Sequence, residues 1–420
     1  MRQVGSRAEI LRRTDLSFAR SLTQYLFTRM TQPDNTRKLS IILHALFLIS
    51  GTVTVLIGQF LPIMARHYEL NDLQVSFYFP SQFAGSLLGT FLTSIFARRN
   101  QFLAASFVGA LCMATGILLM NVDSFPASLA AFALTGVGIG LTLPAINMTV
   151  LELNPMNSAS ALSVLNFCWG IGAIVCKPFV DATHVGGNIW ATTLILALPM
   201  FAAAAFLFFQ PTRIITLAET PSDAPVDTTP IWTTPLAWGI ALFNFIHVGF
   251  ESGMGGWLTT YTERIDATHA TRLVTPTLLY FVLFVVGRGV APLLFRFLNE
   301  NKMILLGLFT VLAGMAVTVT ASSVALLALG AAIAGFGTSW IFPTNVSRFS
   351  HTFGPTATRR ATPLFICGTL GAASSTWLIG FVSDKTGSLN SGMYVLVVSI
   401  LLLLVLQFGL AMRNAEARTK

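Results

Sequence analysis

Charge is what this sequence has least of: 17 Asp and Glu with 25 Lys and Arg among 420 residues, 10% in all. A soluble domain carries roughly 25% charged residues to keep its surface wetted. Most of this chain's surface therefore faces something other than water. Cysteine is scarce too. Cys112, Cys168, Cys176 and Cys367 lie in apolar runs with no CxxC spacing, which argues against a disulfide framework or a zinc site and leaves small buried hydrophobes. His44, His67, His184, His247, His269 and His351 are dispersed and form no HExxH cluster or nucleophile–base pair, which speaks against a membrane enzyme. A Walker-type phosphate loop is missing, so direct use of ATP is not expected, and nothing calls for a cofactor. No polar stretch is long enough for a soluble signalling domain, which disfavours a non-transporting sensor. The formal charge of +8 first suggests a nucleic acid, but the basic residues are scattered over short loops and the N-terminal segment. Membrane topology explains that pattern better, and no nucleic-acid partner is expected.

Apolar residues fill the space that charge leaves, at 54% of the chain with 34 Phe and a mean hydropathy of +0.72. A spanning helix needs about 20 predominantly apolar residues. Such runs lie near 39–64, 73–97, 101–121, 126–151, 158–180 and 188–209, then near 236–261, 272–297, 303–322, 325–347, 361–382 and 391–411. The expected fold is an all-α membrane protein of twelve transmembrane helices. Residues 1–38 form a basic N-terminal segment, read as a disordered tail or a short interfacial helix carrying Leu11, Phe18, Leu22, Tyr25 and Leu26. Residues 210–235, with five prolines among Thr, Ser and Asp, form an extended linker between six-helix bundles at 39–209 and 236–411, and 412–420 is a tail. With both termini cytoplasmic, 19 of the 25 Lys and Arg fall on the inside, five on the outside, and Arg288 lies within a span. That bias fits the positive-inside rule and a bacterial-type inner membrane, and the first apolar run is too long for a signal-peptide core.

The two bundles share a pattern. Gly136-x-Gly138 with Pro144 recurs as Gly335-x-Gly337 with Pro343, 199 residues on; Gly89 and Arg98 recur as Gly287 and Arg296, and Gly58 as Gly256, 198 residues on. Six plus six helices, a cytoplasmic linker and parallel repeats together resemble the major facilitator superfamily. Its signature between helices 2 and 3 (Gly-x-x-x-Asp-Arg-x-Gly-Arg-Arg) survives in part: Arg98 and Arg99 match, whereas Ser94 replaces the Asp and Ala97 the second Gly.

An ionisable side chain at bilayer depth costs a few kcal/mol and is by default a functional candidate. Glu251 lies about 15 residues, or roughly 22 Å, into the seventh span. Asn244, His247 and Glu251 are spaced i, i+3, i+7 and share a helical face, which must look at protein or water rather than acyl chains. Gly253, Gly255 and Gly256 follow at once, and three glycines in four residues predict a weakened helix with exposed backbone groups; helix packing is the alternative. The run Gly249-Phe-Glu251-Ser-Gly-Met-Gly255-Gly256-Trp257-Leu-Thr-Thr-Tyr261 resembles helix 7 of the fucose–proton symporter and sodium-dependent glucose transporter group. The resemblance implies that Glu251 and Trp257 border the solute cavity. It departs from that group in helices 1 and 4, where Gln59 and Asn147 stand in place of acidic residues and Glu152 lies at a helix end.

Helices 1, 4, 7 and 10 line the cavity in that superfamily, which adds Gln59, Asn147, Asn244 and Asn345 as substrate-binding candidates, with Asn166 and Trp169 from helix 5 and Trp340 from helix 10. Amides and indoles suit a sugar, one bonding hydroxyls and the other covering the C–H face; the same residue types also bond helices together. Arg288, eight residues before Arg296, either acts near an inner gate or anchors the helix structurally. The expected function is secondary active transport of a small neutral hydrophilic solute, first a monosaccharide, by alternating access. Glu251, tuned by His247, would carry a coupling proton, or with freed carbonyls a sodium ion. The alternative is an exporter of amphipathic compounds or lipids. Superfamily analogy implies a monomer.

Overall fold

A computed structural model describes residues 34–154, 158–184, 188–210, 231–266, 274–354 and 360–419. The N-terminal segment up to residue 33 and most of the linker (211–230) lie outside the described residues. In the first half, α1 runs Asp34–His67, α2 Asp72–Ser76, α3 Tyr78–Ala97, α4 Phe102–Leu119, α5 Phe125–Leu153, α6 Ser158–Thr183 and α7 Trp190–Phe208. In the second, α8 runs Pro235–Ile265, α9 Pro276–Leu294, α10 Glu300–Val319, α11 Val324–Thr338, α12 Ile341–Phe353, α13 Thr362–Thr386 and α14 Leu389–Thr419.

These are twelve spans, because α2 with α3 and α11 with α12 each form one interrupted helix. Proline sets both interruptions. Pro80 and Pro343 lack an N–H and crowd the carbonyl four residues back, and the helices yield at Ser76–Phe77 and at Ser339–Trp340. Pro144, the repeat counterpart of Pro343, sits inside an unbroken α5. Ten of the spans are long and apolar enough to cross a membrane by length and composition; the second and seventh carry more polar residues. Helix starts follow from local chemistry: Asn71, Thr234, Thr275, Asn299 and Ser323 each cap a backbone N–H of the first turn. α14 continues as helix through 412–419, where the sequence suggested a tail.

Each half packs by the same contacts. A Cβ on Gly136 would stand 2.0 Å from the Gln82 carbonyl oxygen, and one on Gly335 2.3 Å from that of Tyr280. Likewise Gly172 meets Leu48 at 2.0 Å, and Gly371 meets Phe245 at 1.9 Å. Small residues let helix backbones approach this closely where lipid supplies no hydrophobic drive to associate. The repeat therefore extends to Gly51 and Gly249, Gly109 and Gly307, and Gly116 and Gly314, all at the same 198-residue offset.

The halves meet through α1 with α8, α2 and α3 with α13, and α6 with α9. Gly58 and Gly256, matched by the repeat, come together: a Cβ on Gly58 would lie 2.4 Å from the Gly255 carbonyl oxygen and 3.0 Å from the Gly256 Cα. Equivalent positions meet only near a local twofold axis, so the axis passes this crossing. Beyond it, at the end of the molecule away from the linker (the distal end), Asp72 receives Arg264 in a two-pronged ion pair and a hydrogen bond from Ser383, while Arg66 pairs with Glu263.

Candidate functional site

Glu251 lies 14 residues from the distal end of α8, and Arg288 lies 12 residues from the distal end of α9. At 1.5 Å per residue both are roughly 20 Å deep and level with each other. α8 is surrounded by α1, α9, α11, α12, α13 and α14. The partly accessible Glu251 therefore opens onto space inside the molecule rather than onto lipid. No hydrogen bond or ion pair holds its carboxylate among the described residues, yet it lies within electrostatic reach of Arg288 and Tyr280. Arg288 rests its guanidinium 4.2 Å over the Phe284 ring, with its Nε buried and unpartnered. The Tyr280 hydroxyl is buried and unpartnered as well. His247, one turn below Glu251, has Nε2 3.0 Å from the Thr338 hydroxyl, beside the break in the tenth span, and its Nδ1 is unpartnered.

The other candidates divide by what holds them. Asn244 donates to the Leu364 carbonyl at 2.9 Å, Trp257 to Thr376 at 2.9 Å, Trp340 to Met303 at 3.0 Å and Asn345 to Ile240 at 3.3 Å. All four are buried and bonded within the second half, and the Trp257 ring also lies 6.0 Å from that of Phe79 in the first half. Gln59 accepts from the Thr259 hydroxyl at 2.8 Å across the two halves, and Thr259 shares a 2.8 Å bond with Thr277. Asn147 and Asn166 bond only their own helices, through Leu143 and Leu162, each at 2.8 Å, and Asn166 and the half-buried Trp169 remain accessible. Arg288, read from the sequence as near an inner gate or as an anchor, stands level with Glu251.

One expectation is overturned. α8 runs unbroken through Gly253–Gly256, so its backbone carbonyls stay in helical hydrogen bonds. The glycines instead receive neighbours: Gly253 takes Leu396 and Ile379, Gly255 takes Phe281, and Gly256 takes the Phe79 ring. Without proline, an α-helix sheltered by other helices retains its bonds.

The sequence reading passed over Tyr280, Phe284 and Gln82. Tyr280 and Phe284 stand eight and four residues before Arg288, on its helical face. Gln82 is the repeat counterpart of Tyr280; its Nε2 donates to Thr54 at 3.3 Å while its Oε1 is buried and unpartnered. A separate pocket of about 500 Å³ opens at the distal end of the first half, lined by Arg66, His67, Asn121, Asp123, His184 and Trp190 among others. Among the described residues no cluster of His, Cys, Asp and Glu is arranged for a metal ion.

The sequence model of the Major Facilitator Superfamily matches residues 43–374. The chain belongs to the Major Facilitator Superfamily. It is thus a multi-pass membrane transporter of small solutes, consistent with its fold. Three similar solved structures illustrate the range of the superfamily. A bacterial homologue of the human lysosomal transporter Spinster, inward-facing and unoccupied, has a TM-score of 0.71 and 11% identity, over 89% of this chain and 96% of that one. The nucleoside transporter NupG has a TM-score of 0.67 and 14% identity, over 90% and 99%. The E. coli fucose:proton symporter FucP has a TM-score of 0.61 and 16% identity, over 90% and 99%. At these identities the likeness is one of superfamily fold. No curated protein matches the sequence.

Proposed function

We propose that this protein is a secondary active transporter that moves a small hydrophilic solute of the monosaccharide class by alternating access, coupled to protons through Glu251. The carrying observation is the Glu251 carboxylate, unpaired among the described residues at mid-span in the second half and partly accessible within a ring of helices. An acid at that depth without a partner is costly, and a proton that can be taken up and released gives it a reason to exist. Sodium remains the alternative ion, but the unbroken α8 supplies no freed carbonyls to ligate it.

The orientation follows from the charge bias: the linker end and both termini are cytoplasmic, in a plasma membrane of bacterial type. With the bundles joined at the distal end by Asp72–Arg264 and Arg66–Glu263, this conformation is closed toward the outside. Asn147, Asn166 and Trp169, partly or fully accessible and bonded among the described residues only within their own helices or not at all, then offer amides and an indole from the first half as the sugar-facing wall. Both rocking bundles reside in one chain, so a monomer suffices.

The test is uptake into proteoliposomes. Imposed proton gradients should drive accumulation where sodium gradients do not, and Glu251→Gln should lose gradient-driven accumulation while keeping solute exchange. Full accumulation by Glu251→Gln would remove this carboxylate from the coupling. Uptake of hydrophobic cations in place of sugars would support an exporter of amphipathic compounds instead.

A further inference from the structure

Lys177 and Arg348 are buried near the ends of their helices, and both are satisfied. Lys177 pairs with Asp181 one turn on, and Arg348 donates to Asn345 and Gln407. Arg288 differs. Among the described residues no acceptor lies within hydrogen-bond reach of its guanidinium, and its Nε is enclosed without a partner. The Phe284 face 4.2 Å beneath it fixes the guanidinium plane. Glu251 is the carboxylate whose charge acts on it, and among the described residues the two form no ion pair within 4 Å. The Tyr280 hydroxyl, also unpartnered, lies within electrostatic reach of both.

An unpaired charge at this depth is unfavourable even when half-buried, and the planar guanidinium fork matches a carboxylate with two parallel hydrogen bonds. We propose, resting on the transporter reading above, that the transported solute carries one carboxylate, bound by Arg288 with Tyr280 as a further donor. The sequence suggested a neutral solute; the unmet guanidinium argues for a monoanion such as a sugar acid.

The arrangement also ties the proton to the solute. When Glu251 is ionised, the empty site is neutral, because its charge offsets that of Arg288 at a distance. Once a solute carboxylate occupies the guanidinium, a second negative charge remains on Glu251 until it takes up one proton. The groups facing Glu251 are His247 on its own helix and Arg288 and Tyr280 on α9. Arg288 is the charged group that acts on Glu251 among the described residues, and Thr338 of α11 meets His247. Empty and fully loaded sites thus carry the same net charge, and either partner alone leaves one charge uncompensated in a low-dielectric interior. One anion moves with one proton.

The experiment compares three sugars on one ring: D-glucuronate, D-glucose and D-glucosamine, binding to the purified full chain in detergent at fixed pH and salt. D-glucuronate should bind at least tenfold more tightly than the other two. Arg288→Gln should lose at least tenfold in glucuronate affinity relative to glucose, and Arg288→Lys should recover part of that ratio. A purely structural role for Arg288 would not move the ratio between glucuronate and glucose. If Arg288→Gln fails to fold, the wild-type ratio and Arg288→Lys decide the matter. Equal binding of glucose and glucuronate, or an unchanged ratio in a folded Arg288 variant, overturns the proposal. Proton-driven accumulation of glucose alone would overturn it while leaving the transporter reading intact; binding of hydrophobic cations and none of the sugars would sink both.

Discussion

A buried indole whose N–H is bonded to a carbonyl of the next helix cannot offer the same N–H to a solute. Trp340 is in that position, 1% exposed with its N–H on the Met303 carbonyl. Trp340→Phe should therefore strand a buried acceptor, costing about 1–3 kcal/mol and lowering the melting temperature of the purified protein, while solute affinity holds. Asn147→Ala should do the reverse. Its amide bonds only its own helix at Leu143, so truncation should leave the melting temperature nearly unchanged and weaken sugar binding several-fold. Equal effects of both variants on affinity would refute this division. The sequence revealed which polar residues sit in which spans, because hydropathy fixes depth. It did not reveal which way most of them point. In helices apolar on nearly every side there is no polar stripe to orient a lone Asn or Trp, and the direction emerges only from contacts with the neighbouring helix. Glu251 was legible because His247 shares its face and Arg288 is the lone cation counted within a span. Tyr280 was not, because a tyrosine among phenylalanines looks like packing until its hydroxyl is found unpaired.

At the scale of the helix, glycine and proline have opposite effects, and the sequence tells them apart only in part. The glycine run in α8 reads like a break and proves to be a packing surface, whereas Pro343 coincides with a real interruption beside His247. Proline acts within its own helix, so its consequence is local; glycine acts through whatever approaches it, which sequence order does not display. The repeat supplied what single residues could not. An offset of 198 or 199 residues recurs in glycines that pack closely in both halves, so the pairing of the two bundles was legible from spacing, as the twelve spans were from the apolar runs. Gly371→Ala should place a Cβ 1.9 Å from the Phe245 carbonyl oxygen, forcing α8 and α13 apart. The expected cost is about 1–3 kcal/mol, as for other overpacked cores. Gly409→Ala, with nothing within 4 Å, is the control and should leave the melting temperature in place. Comparable losses in both would mean that the close approach is not what stabilises this pair.

For the whole molecule the question is which contacts exist in only one of the two states that rocking bundles must visit. The intra-bundle glycine contacts survive any rigid-body motion. The distal contacts do not: separating the bundles there breaks Asp72–Arg264, Asp72–Ser383, Arg66–Glu263 and the Gln59–Thr259 bond together. Their strength helps set the balance between the two states, and half-exposed ion pairs contribute about 1 kcal/mol or less each, so the balance is easily moved. Asp72 is the residue to change, because it joins α2 to both α8 and α13 and is nearly buried, while Asn71 keeps the helix cap. Asp72→Asn preserves shape and a bond to Ser383 but removes the charge that faces Arg264. Loss of about 1 kcal/mol would shift the population toward the distally open state roughly fivefold. Spin labels on Val122→Cys and Ser322→Cys, at the distal ends of the two halves and with the native cysteines replaced, report that opening as a longer distance. The longer component should grow in Asp72→Asn and grow less at high salt, where screening has already weakened the wild-type pair. An unchanged distance distribution would show that the bundles are held shut by the Gly58–Gly256 crossing and its apolar surround, with the ion pairs only reporting the closure.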